Sequence, residues 1–537
     1  MPAVVTDQFR ITNASNFVDS VLDSNNSYYV FLGLPNPAVV GFGRTTTWNS
    51  ANGTPNPVDN LQYLTHYRDT SLFGKKINSS NIRRVVKKHT WSANTRYDMY
   101  RHDYEALSNP APNSQTGSLY KTNYYVITSE FKVYICLDNG SSGAPGSSDV
   151  KGNESLDEPT FTDLEPAAAG TQNDGYIWKY LFTVSPSDVI KFDSTEFIVL
   201  PSDWSTTTDA QIQAVREAGD ADINKNQLKK VYIKDGGSGY SLDGSYSCNI
   251  LGDGSGGKAL VTVTGGVITD VIVTAGGSGY TFAMVDLSGI SFGSSGTRAN
   301  LIPIIPPSKG HGFDIYTELG ADKVLVYSRF DDSTKDFPTD THFAQVGIIK
   351  NPSQFNKAAG NLTAPQFTSL SSIKLESSID VTDYSTLIGV GIAQTVSGGT
   401  ARGIVASYDQ DTFVLKYIQD RSLNLRKSDL SQDTSGVDTV DYSGVNQRAE
   451  VLSFESSEDN KILSTDSTII NSTVDVNFTG ITTTVGNKQI NLGVEFTGGL
   501  ANPEINKKTG DIIYIDNRKE VERNIRQKED VKIILEF

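Results

Sequence analysis

Alternation of apolar and polar positions along most of the chain predicts short β-strands joined by polar turns. YYVITSEFKVYICLD (124–138) is rich in β-branched and aromatic residues, which predicts half-buried strands. GYIWKYLFTV (175–184) has the same character. The last two apolar segments, TGDIIYIDNRKEV (509–521) and EDVKIILEF (529–537), predict closing strands paired in a sheet.

Helical periodicity is confined to a few short segments. Residues 13–22 place apolar side chains at 17, 18, 21 and 22, which predicts a helix with Asn13 as its N-cap. Residues 209–218 predict a second helix, closed by Gly219. The fold class that follows is mainly β with a few short helices, organised around a β-sandwich-like core.

A repeat of 40 residues marks one segment of the chain. VYIKDGGSGYS begins at Val231 and VIVTAGGSGYT begins at Val271. Between them, ALVTVTGGVITDVIVT (259–274) predicts a hairpin with a Gly-Gly turn. Two copies are too few for a solenoid or propeller, so the pattern predicts a small β-domain at 225–306.

A second stretch, after residue 360, is rich in Gly, Ser and Thr and predicts short strands with frequent polar turns. This pattern is typical of a small sandwich or barrel. The predicted organisation is a core interrupted by two inserted β-domains. The core comprises 1–224, 307–360 and 499–537, and the insertions comprise 225–306 and 361–498.

The amino-acid composition and the net charge indicate which classes of protein this chain resembles. The chain has 537 residues, 37% hydrophobic and 20% charged, and a formal net charge of −16. This is a soluble globular composition whose negative field disfavours nucleic acid as a partner. Neither a secretory signal nor an apolar run long enough to cross a membrane is recognisable, so we expect no membrane insertion.

One basic cluster stands out in this acidic chain. NIRRVVKKHTW contains Arg83, Arg84, Lys87, Lys88 and His89. It has three interpretations: a solvated face of a strand or helix, a docking patch for an acidic partner surface, or, least favoured, a contact with nucleic acid. Arg83, Arg84, Lys87 and Lys88 are therefore the candidate partner-interface residues.

Sequence motifs that resemble catalytic or ligand-binding sites have simpler structural explanations. GDGSGGKA (252–259) has phosphate-loop spacing, but it leads into a strand and not a helix, and Ala259 replaces the hydroxyl residue. The tyrosines of the two Gly-Gly-Ser-Gly-Tyr turns are expected to pack on the sheet, with carbohydrate binding as the alternative. Cys136 and Cys248 are expected to be buried and free. We therefore predict no catalytic residue, cofactor or metal site.

Tyrosine and arginine recur together in two polar segments, NLQYLTHYRD (60–69) and NTRYDMYRHDY (94–104). Both residue types are favoured at protein interfaces, because each combines a large contact area with a polar group. These aromatic side chains are expected to divide between the core and a protein interface.

Three sets of residues, in this order, resemble one known family. They are Phe42, Gly43, Arg44 and Trp48; Asp174, Gly175, Tyr176, Trp178, Tyr180, Leu181 and Phe182; and Gly510, Tyr514, Asn517 and Arg518. In combination they resemble the dimeric baseplate wedge subunit of T-even-like contractile-tailed phages. The resemblance covers roughly 1–220, 307–357 and 499–537, and it leaves out the two predicted insertions.

This resemblance implies a structural protein of the virion, assembled in the host cytoplasm, that bridges other baseplate wedge proteins as a homodimer. It also implies a subunit that survives the rearrangement triggered by sheath contraction. One alternative is a baseplate-associated receptor-binding or fibre-attachment protein that contacts host surface glycan. An enzyme such as a tail-associated glycanase is disfavoured, because no nucleophile motif is present.

Overall fold

The structure is a computed structural model that describes residues 4–33, 54, 56–141, 149–307, 309–331, 342–355, 360–396, 399–419, 424–426, 448–450, 452–456, 461–465, 469–522 and 527–537. The chain divides into two compact units. Unit 1 comprises Met1–Val18, Ile82–Leu325 and Ile533–Phe537, and unit 2 comprises Asp19–Asn81 and Val326–Lys532. The predicted domain bounds remain a prediction, and each unit is described by itself.

The fold is mainly β, as the alternation predicted. The helices are α1 (Asp7–Leu22), α2 (Leu61–Asp69), α3 (Pro186–Phe192), α4 (Ala210–Gly219), α5 (Ala221–Asn224) and α6 (Ile315–Glu318). The strands are β1 (Tyr28–Gly33), β2 (Ser71–Lys76), β3 (Ile82–Lys87), β4 (Tyr125–Ile127), β5 (Lys132–Asn139), β6 (Tyr176–Thr183), β7 (Phe197–Val199), β8 (Val231–Asp235), β9 (Gly244–Gly252), β10 (Ser255–Thr264), β11 (Val267–Ser278), β12 (Ala283–Val285), β13 (Asn300–Pro303), β14 (Lys323–Phe330), β15 (His342–Lys350), β16 (Gln366–Phe367), β17 (Ser371–Lys374), β18 (Gly391–Val396), β19 (Gly399–Asp409), β20 (Val414–Gln419), β21 (Asn424–Arg426), β22 (Arg448–Glu450), β23 (Lys461–Ser464), β24 (Asn471–Thr473), β25 (Gly480–Val485), β26 (Lys488–Phe496), β27 (Leu500–Ala501), β28 (Asp511–Glu522) and β29 (Glu529–Glu536).

Two helices test the predicted caps. Helix α1 begins at Asp7 because the Thr6 hydroxyl accepts a hydrogen bond from the Phe9 amide at 3.2 Å, so the prediction of Asn13 as N-cap was wrong. Helix α4 confirms the second predicted helix, which ends at Gly219, although its C-cap residue is Asp220. Its N-cap is Asp209, whose carboxylate accepts from the amides of residues 211 and 212 at 2.8 and 3.1 Å.

The centre of unit 1 is the three-stranded sheet β4-β5-β6, which is antiparallel throughout. In the β5–β6 register Tyr134 lies opposite Tyr180, and Cys136 lies opposite Trp178. Residues 133–137 and 178–182 are all buried. Successive side chains of a strand point to opposite faces, so both faces of this sheet are covered and the prediction of half-buried strands was wrong.

The repeat segment of unit 1 forms two sheets, β11-β10-β9-β12 and β13-β8. They share one apolar cluster, which extends from Leu228 to Ile305. The predicted hairpin is confirmed, because β10 and β11 meet at Gly265 and Gly266 with φ of 60° and 77°, values that favour glycine. Tyr240 and Tyr280 are only 3% and 2% exposed. They pack in the core as predicted, and the carbohydrate-binding alternative was wrong for them.

Unit 2 contains two larger sheets. The order of the first is β16-β2-β1-β15-β28, in which β1 is fully buried and β28 is an edge strand paired antiparallel with β15. The order of the second is β24-β23-β18-β19-β20-β17-β27. A separate apolar cluster packs against the second sheet, and it includes Ile373, Ile392, Leu415 and Phe454. No helix among the described residues has both the length and the apolar character needed to cross a membrane.

We predict that Gly277→Ala destabilises the protein more than Gly265→Ala. Both glycines have φ of 60°, which costs a side chain about 1–2 kcal/mol. At Gly277 an added Cβ would also lie 2.4 Å from the Ser255 carbonyl oxygen, whereas at Gly265 it would meet no atom within 4 Å. The urea midpoints of the two variants measure the difference, and equal losses would show that the close approach at Gly277 has no cost.

Candidate partner interface

The two arginines of the basic cluster lie on strand β3 and are committed to contacts within unit 1. The Arg83 side chain is 12% exposed and forms an ion pair with Asp188 at 3.0 Å, with its guanidinium over the Phe192 ring. Arg84 is buried, and its guanidinium lies 4.2 Å from the centre of the Tyr316 ring. The predicted four-residue patch therefore does not present these two charges at the surface.

The two lysines of the cluster have different surroundings. Lys87 is exposed at the end of β3. The Lys88 ammonium donates to the Ser194 carbonyl oxygen at 2.9 Å and lies 3.5 Å from the Asp193 carboxylate. Next to them, burial lowers the pKa of His89 to about 4, and the nearby Lys87 charge adds to this effect. Lys87 is thus the most exposed cation of the four candidates.

Both lysines line a cleft of about 700 Å³ in unit 1. The basic residues of the cleft are Arg10, Lys87, Lys88, Lys121 and Lys323, and its acidic residues are Asp7, Glu196, Asp322 and Glu536. These residues come from segments far apart in the sequence, which is why no linear motif marked the site. Of the four candidate residues, Lys87 and Lys88 therefore line this cleft, whereas Arg83 and Arg84 are packed within unit 1.

Hydrogen bonds hold the walls of the cleft. The Tyr125 hydroxyl donates to the Lys87 carbonyl oxygen at 2.8 Å, and the Lys88 amide donates to the Glu196 carbonyl oxygen at 2.7 Å. Lys323 pairs with Asp322 and Glu536, at 2.8 and 3.2 Å. Within the described ranges, Arg10, Lys87 and Lys121 form no ion pair, so the cleft offers three uncommitted positive charges.

The motif at Asp174–Tyr180 lies in the core of unit 1. The Asp174 carboxylate accepts from the Tyr176 and Leu156 amides at 2.9 and 2.8 Å, and Gly175 has φ of 86°. The Tyr176 and Trp178 rings stack with centroids 5.3 Å apart. Asp174 and Gly175 therefore fix the turn that leads the two aromatic rings into the sheet.

Other aromatic side chains close this core. Tyr97 packs edge-on against Trp178, with ring centroids 5.7 Å apart, and its amide donates to the Tyr176 hydroxyl at 3.0 Å. The ring of Tyr180 packs edge-on against Tyr134. Burial raises the pKa of Tyr176 and Tyr180, so both phenols stay neutral. The motif residues serve packing, and no reactive group is poised among them.

The two segments rich in Tyr and Arg contribute mainly to the core. Residues 61–69 form helix α2, and Tyr67 is buried. In the other segment Tyr97 and Tyr100 are also buried. Tyr63 and Tyr104, which are partly exposed, are the tyrosines left for contacts outside the core.

The C-terminal motif lies in unit 2, on and beside strand β28. Gly510 has φ of 85°, and Tyr514 lies opposite Ile348 of β15. The buried Asn517 accepts a hydrogen bond from the Gln345 side chain at 3.1 Å. Arg518 is exposed, and its guanidinium lies 2.6 Å from the Asp516 carboxylate. Residues 516–519 also line an open cleft of about 600 Å³.

Four family-motif residues, Phe42, Gly43, Arg44 and Trp48, lie outside the described residues. The other two motifs lie in different units of the chain. Within the described residues, the resemblance to the wedge family thus marks structural positions in each unit.

Buried polar groups that sequence reasoning missed hold the loop before helix α6. The His311 ring lies 2.6 Å from the Glu318 carboxylate, which also accepts from the Gly312 amide at 2.7 Å. Lys179 is buried close to this loop, and burial lowers its pKa to about 8. Among the described residues, no three His, Cys, Asp or Glu side chains form a group that could hold a metal ion. Cys136 and Cys248 are free and buried, as predicted.

Comparison with known proteins found a distant relative among phage baseplate proteins. No family model matches the chain. The chain is 26% identical over 218 residues to "Baseplate wedge protein gp8" of Enterobacteria phage T4. The match covers 37% of this chain and 60% of that protein, which is less than two thirds of its length. This similarity supports a distant relationship to a baseplate wedge protein.

We predict that Asp174→Ala destabilises unit 1 by about 2 kcal/mol or more, because the buried Tyr176 amide and the partly buried Leu156 amide lose their acceptor. Asp253→Ala is the matched control. Asp253 also accepts from two amides, those of Thr281 and Phe282, but it is exposed, so water replaces the carboxylate. Thermal unfolding of both variants measures the contrast, and a control as unstable as Asp174→Ala would contradict the role of burial.

We predict that His89 makes the protein less stable in mild acid. Its pKa is lowered from 6.5 to about 4 in the folded chain, so the unfolded chain binds a proton more readily between these values. Stability that is present above pH 6.5 is therefore lost as the pH falls through this window. Urea midpoints at about pH 7 and about pH 5 should differ less in His89→Gln than in the unmodified protein. Equal pH dependence of both proteins would contradict the prediction.

Proposed function

We propose that this chain is a structural subunit of a phage tail baseplate wedge, which works by binding neighbouring wedge proteins and carries no chemistry of its own. The observation that carries the proposal is the 26% identity, over 218 residues, to the baseplate wedge protein of phage T4. In this role the chain is a homodimer within each wedge, is assembled in the host cytoplasm and is located in the tail of the virion.

The chemistry of the motif residues supports a structural role. Asp174, Tyr176 and Trp178 are buried; the Asp174 carboxylate and the Tyr176 hydroxyl form hydrogen bonds with backbone groups, and the Trp178 ring stacks on Tyr176. Each unit also has its own buried core, so each can withstand a rearrangement of the baseplate as a packed body.

The cleft in unit 1 is the partner contact that we favour. Arg10, Lys87 and Lys121 present uncommitted positive charge on a chain whose net charge is −16. Tyr120 and Phe197 supply aromatic surface in the same cleft. Such a combination suits an acidic segment of a neighbouring protein, since charge steers association and aromatic area stabilises the complex.

The alternative is a receptor-binding or fibre-attachment protein whose inserted β-domains contact host surface glycan. One sequence feature that favoured glycan contact, the tyrosines of the Gly-Gly-Ser-Gly-Tyr turns, no longer supports it. Tyr240 and Tyr280 are buried, and their hydroxyls are hydrogen-bonded inside the segment.

The mass of the purified protein in solution tests the wedge proposal. We expect a dimer alone, and a larger stable complex when the other wedge proteins of its phage are added. A monomer that ignores those proteins and binds host envelope would overturn the proposal in favour of receptor binding.

We predict that Lys87→Glu combined with Lys121→Glu weakens assembly with wedge partners by roughly 10-fold, because an acidic segment would then meet negative charge. Lys461→Glu combined with Lys488→Glu, at two exposed positions in unit 2, is the control for net charge, because it changes the charge by the same amount. Arg83→Glu with Arg84→Glu is a poorer test, since it would destabilise unit 1 itself. Titration by sedimentation at low and high salt measures the effect. If the double lysine variant assembled as tightly as the control, the cleft would not be the contact.

A further inference from the structure

The repeat segment has internal two-fold pseudosymmetry in its backbone. Its two Gly-Gly-Ser-Gly-Tyr turns have the same conformation: φ is 67° at Gly237 and 60° at Gly277, and 85° at Gly239 and 81° at Gly279. Both turns end in a buried tyrosine. The sequence repeat of 40 residues is therefore also a structural repeat.

Hydrogen bonds between the two copies are reciprocal. The Leu228 amide donates to the Gly276 carbonyl oxygen at 3.1 Å, and the Ile268 amide donates to the Gly236 carbonyl oxygen at 2.9 Å. The two donors, Leu228 and Ile268, are 40 positions apart, and so are the two acceptors, Gly236 and Gly276. Copies that exchange equivalent bonds are related by an approximate two-fold axis, as the subunits of a symmetric dimer are.

The strand pairs beside the two turns, β10–β11 and β13–β8, correspond in the same way. Tyr280 accepts from the Gly257 amide and Tyr240 accepts from the Ala299 amide, both at 3.0 Å. The pairing β10–β11 shifts register at 258/259, and β13–β8 shifts register at 300/301. The cross-strand pair Leu260–Ile272 thus corresponds to the pair Ile302–Tyr232, and both pairs point away from the shared core.

One of these two outer faces is covered by unit 1 itself. Tyr232 is only 6% exposed, and the Arg101 guanidinium lies 4.1 Å from the centre of its ring. Beside it, Lys230 forms an ion pair with Asp138, and the Ile305 amide donates to the His102 ring at 3.2 Å. The face therefore packs through a cation–π contact on the Tyr232 ring, flanked by one ion pair.

The equivalent face on β10–β11 is bare. Ile272 is 53% exposed, although its counterpart Tyr232 is buried. Asp270 lies next to Ile272, at the position that corresponds to Lys230, and it is exposed. No cation among the described residues lies within ion-pair distance of Asp270. The bare face therefore resembles the covered face in having an apolar cross-strand pair with a charged residue beside it. The charge is negative at Asp270, whereas it is positive at Lys230.

We propose that this outer face, formed by Leu260, Ile272 and Asp270, is a docking surface for a protein segment that carries a basic residue beside apolar side chains. The basic residue would pair with Asp270 as Asp138 pairs with Lys230 on the covered face, and the apolar side chains would cover Ile272. The identity of the partner, a neighbouring wedge protein, rests on the proposed function.

The test uses the full chain and the purified wedge proteins of its phage, mixed one at a time. Ile272→Asp and Asp270→Lys should each weaken binding of one wedge protein by about 10-fold or more, because a buried apolar contact or an ion pair is lost. Ile190→Asp is the matched control, since Ile190 is 81% exposed on helix α3. Thermal unfolding of all three variants shows that the fold is retained, because each altered side chain is exposed.

Three results would overturn the inference in distinguishable ways. If the unmodified chain assembles and both variants bind equally well, the docking surface is wrong and the wedge function stands. If no wedge protein binds the unmodified chain, both proposals fail. If Ile272→Asp alters only the mass of the protein alone, from dimer to monomer, the occupant is a second copy of this chain and not a basic segment of a different protein.

Discussion

Unit 1 depends on the packing of aromatic rings in the sheet β4-β5-β6, both faces of which are covered. Trp178 and Tyr176 are fully buried in β6, and Tyr97 closes over them. Such rings bury large apolar areas, and this stabilises the sheet only if the polar groups around them find partners. Asp174 supplies acceptors at the turn, and the Tyr176 hydroxyl bridges two backbone groups. The Trp178 ring nitrogen has no partner among the described residues, a local cost offset by the packing of the ring.

Positive charge is used in two different ways in the basic cluster. Arg83 and Arg84 lie against Phe192 and Tyr316, where planar guanidinium groups stack on rings and need little water. Lys87, at the end of the same strand, stays in solvent at the rim of a cleft. The chemistry of the side chains favours this division, since an ammonium is strongly hydrated and a guanidinium is not.

The repeat segment shows how similar local sequences acquire different roles. Its two turns share φ angles and buried tyrosines, because both copies need glycine at the same strained positions. Their outer faces differ because only one copy lies against Arg101 and Asp138. An approximate two-fold arrangement inside one chain thus leaves one face without its intramolecular partner, which is the basis for assigning it to another protein.

Alternation of apolar residues was sufficient to predict the mainly β class, the β10–β11 hairpin and the closing strands, since a period of two reports a pleated backbone directly. The glycine turns and buried cysteines also followed from local chemistry. Burial of β5 and β6 on both faces did not, because the covering segments are distant in sequence. The same reason applies to the basic cluster: Arg83 meets Asp188, which is 105 positions away. Local sequence determined which segments are strands and turns, and only tertiary packing decided which charged side chains reach the surface, because their partners are brought close by the fold alone.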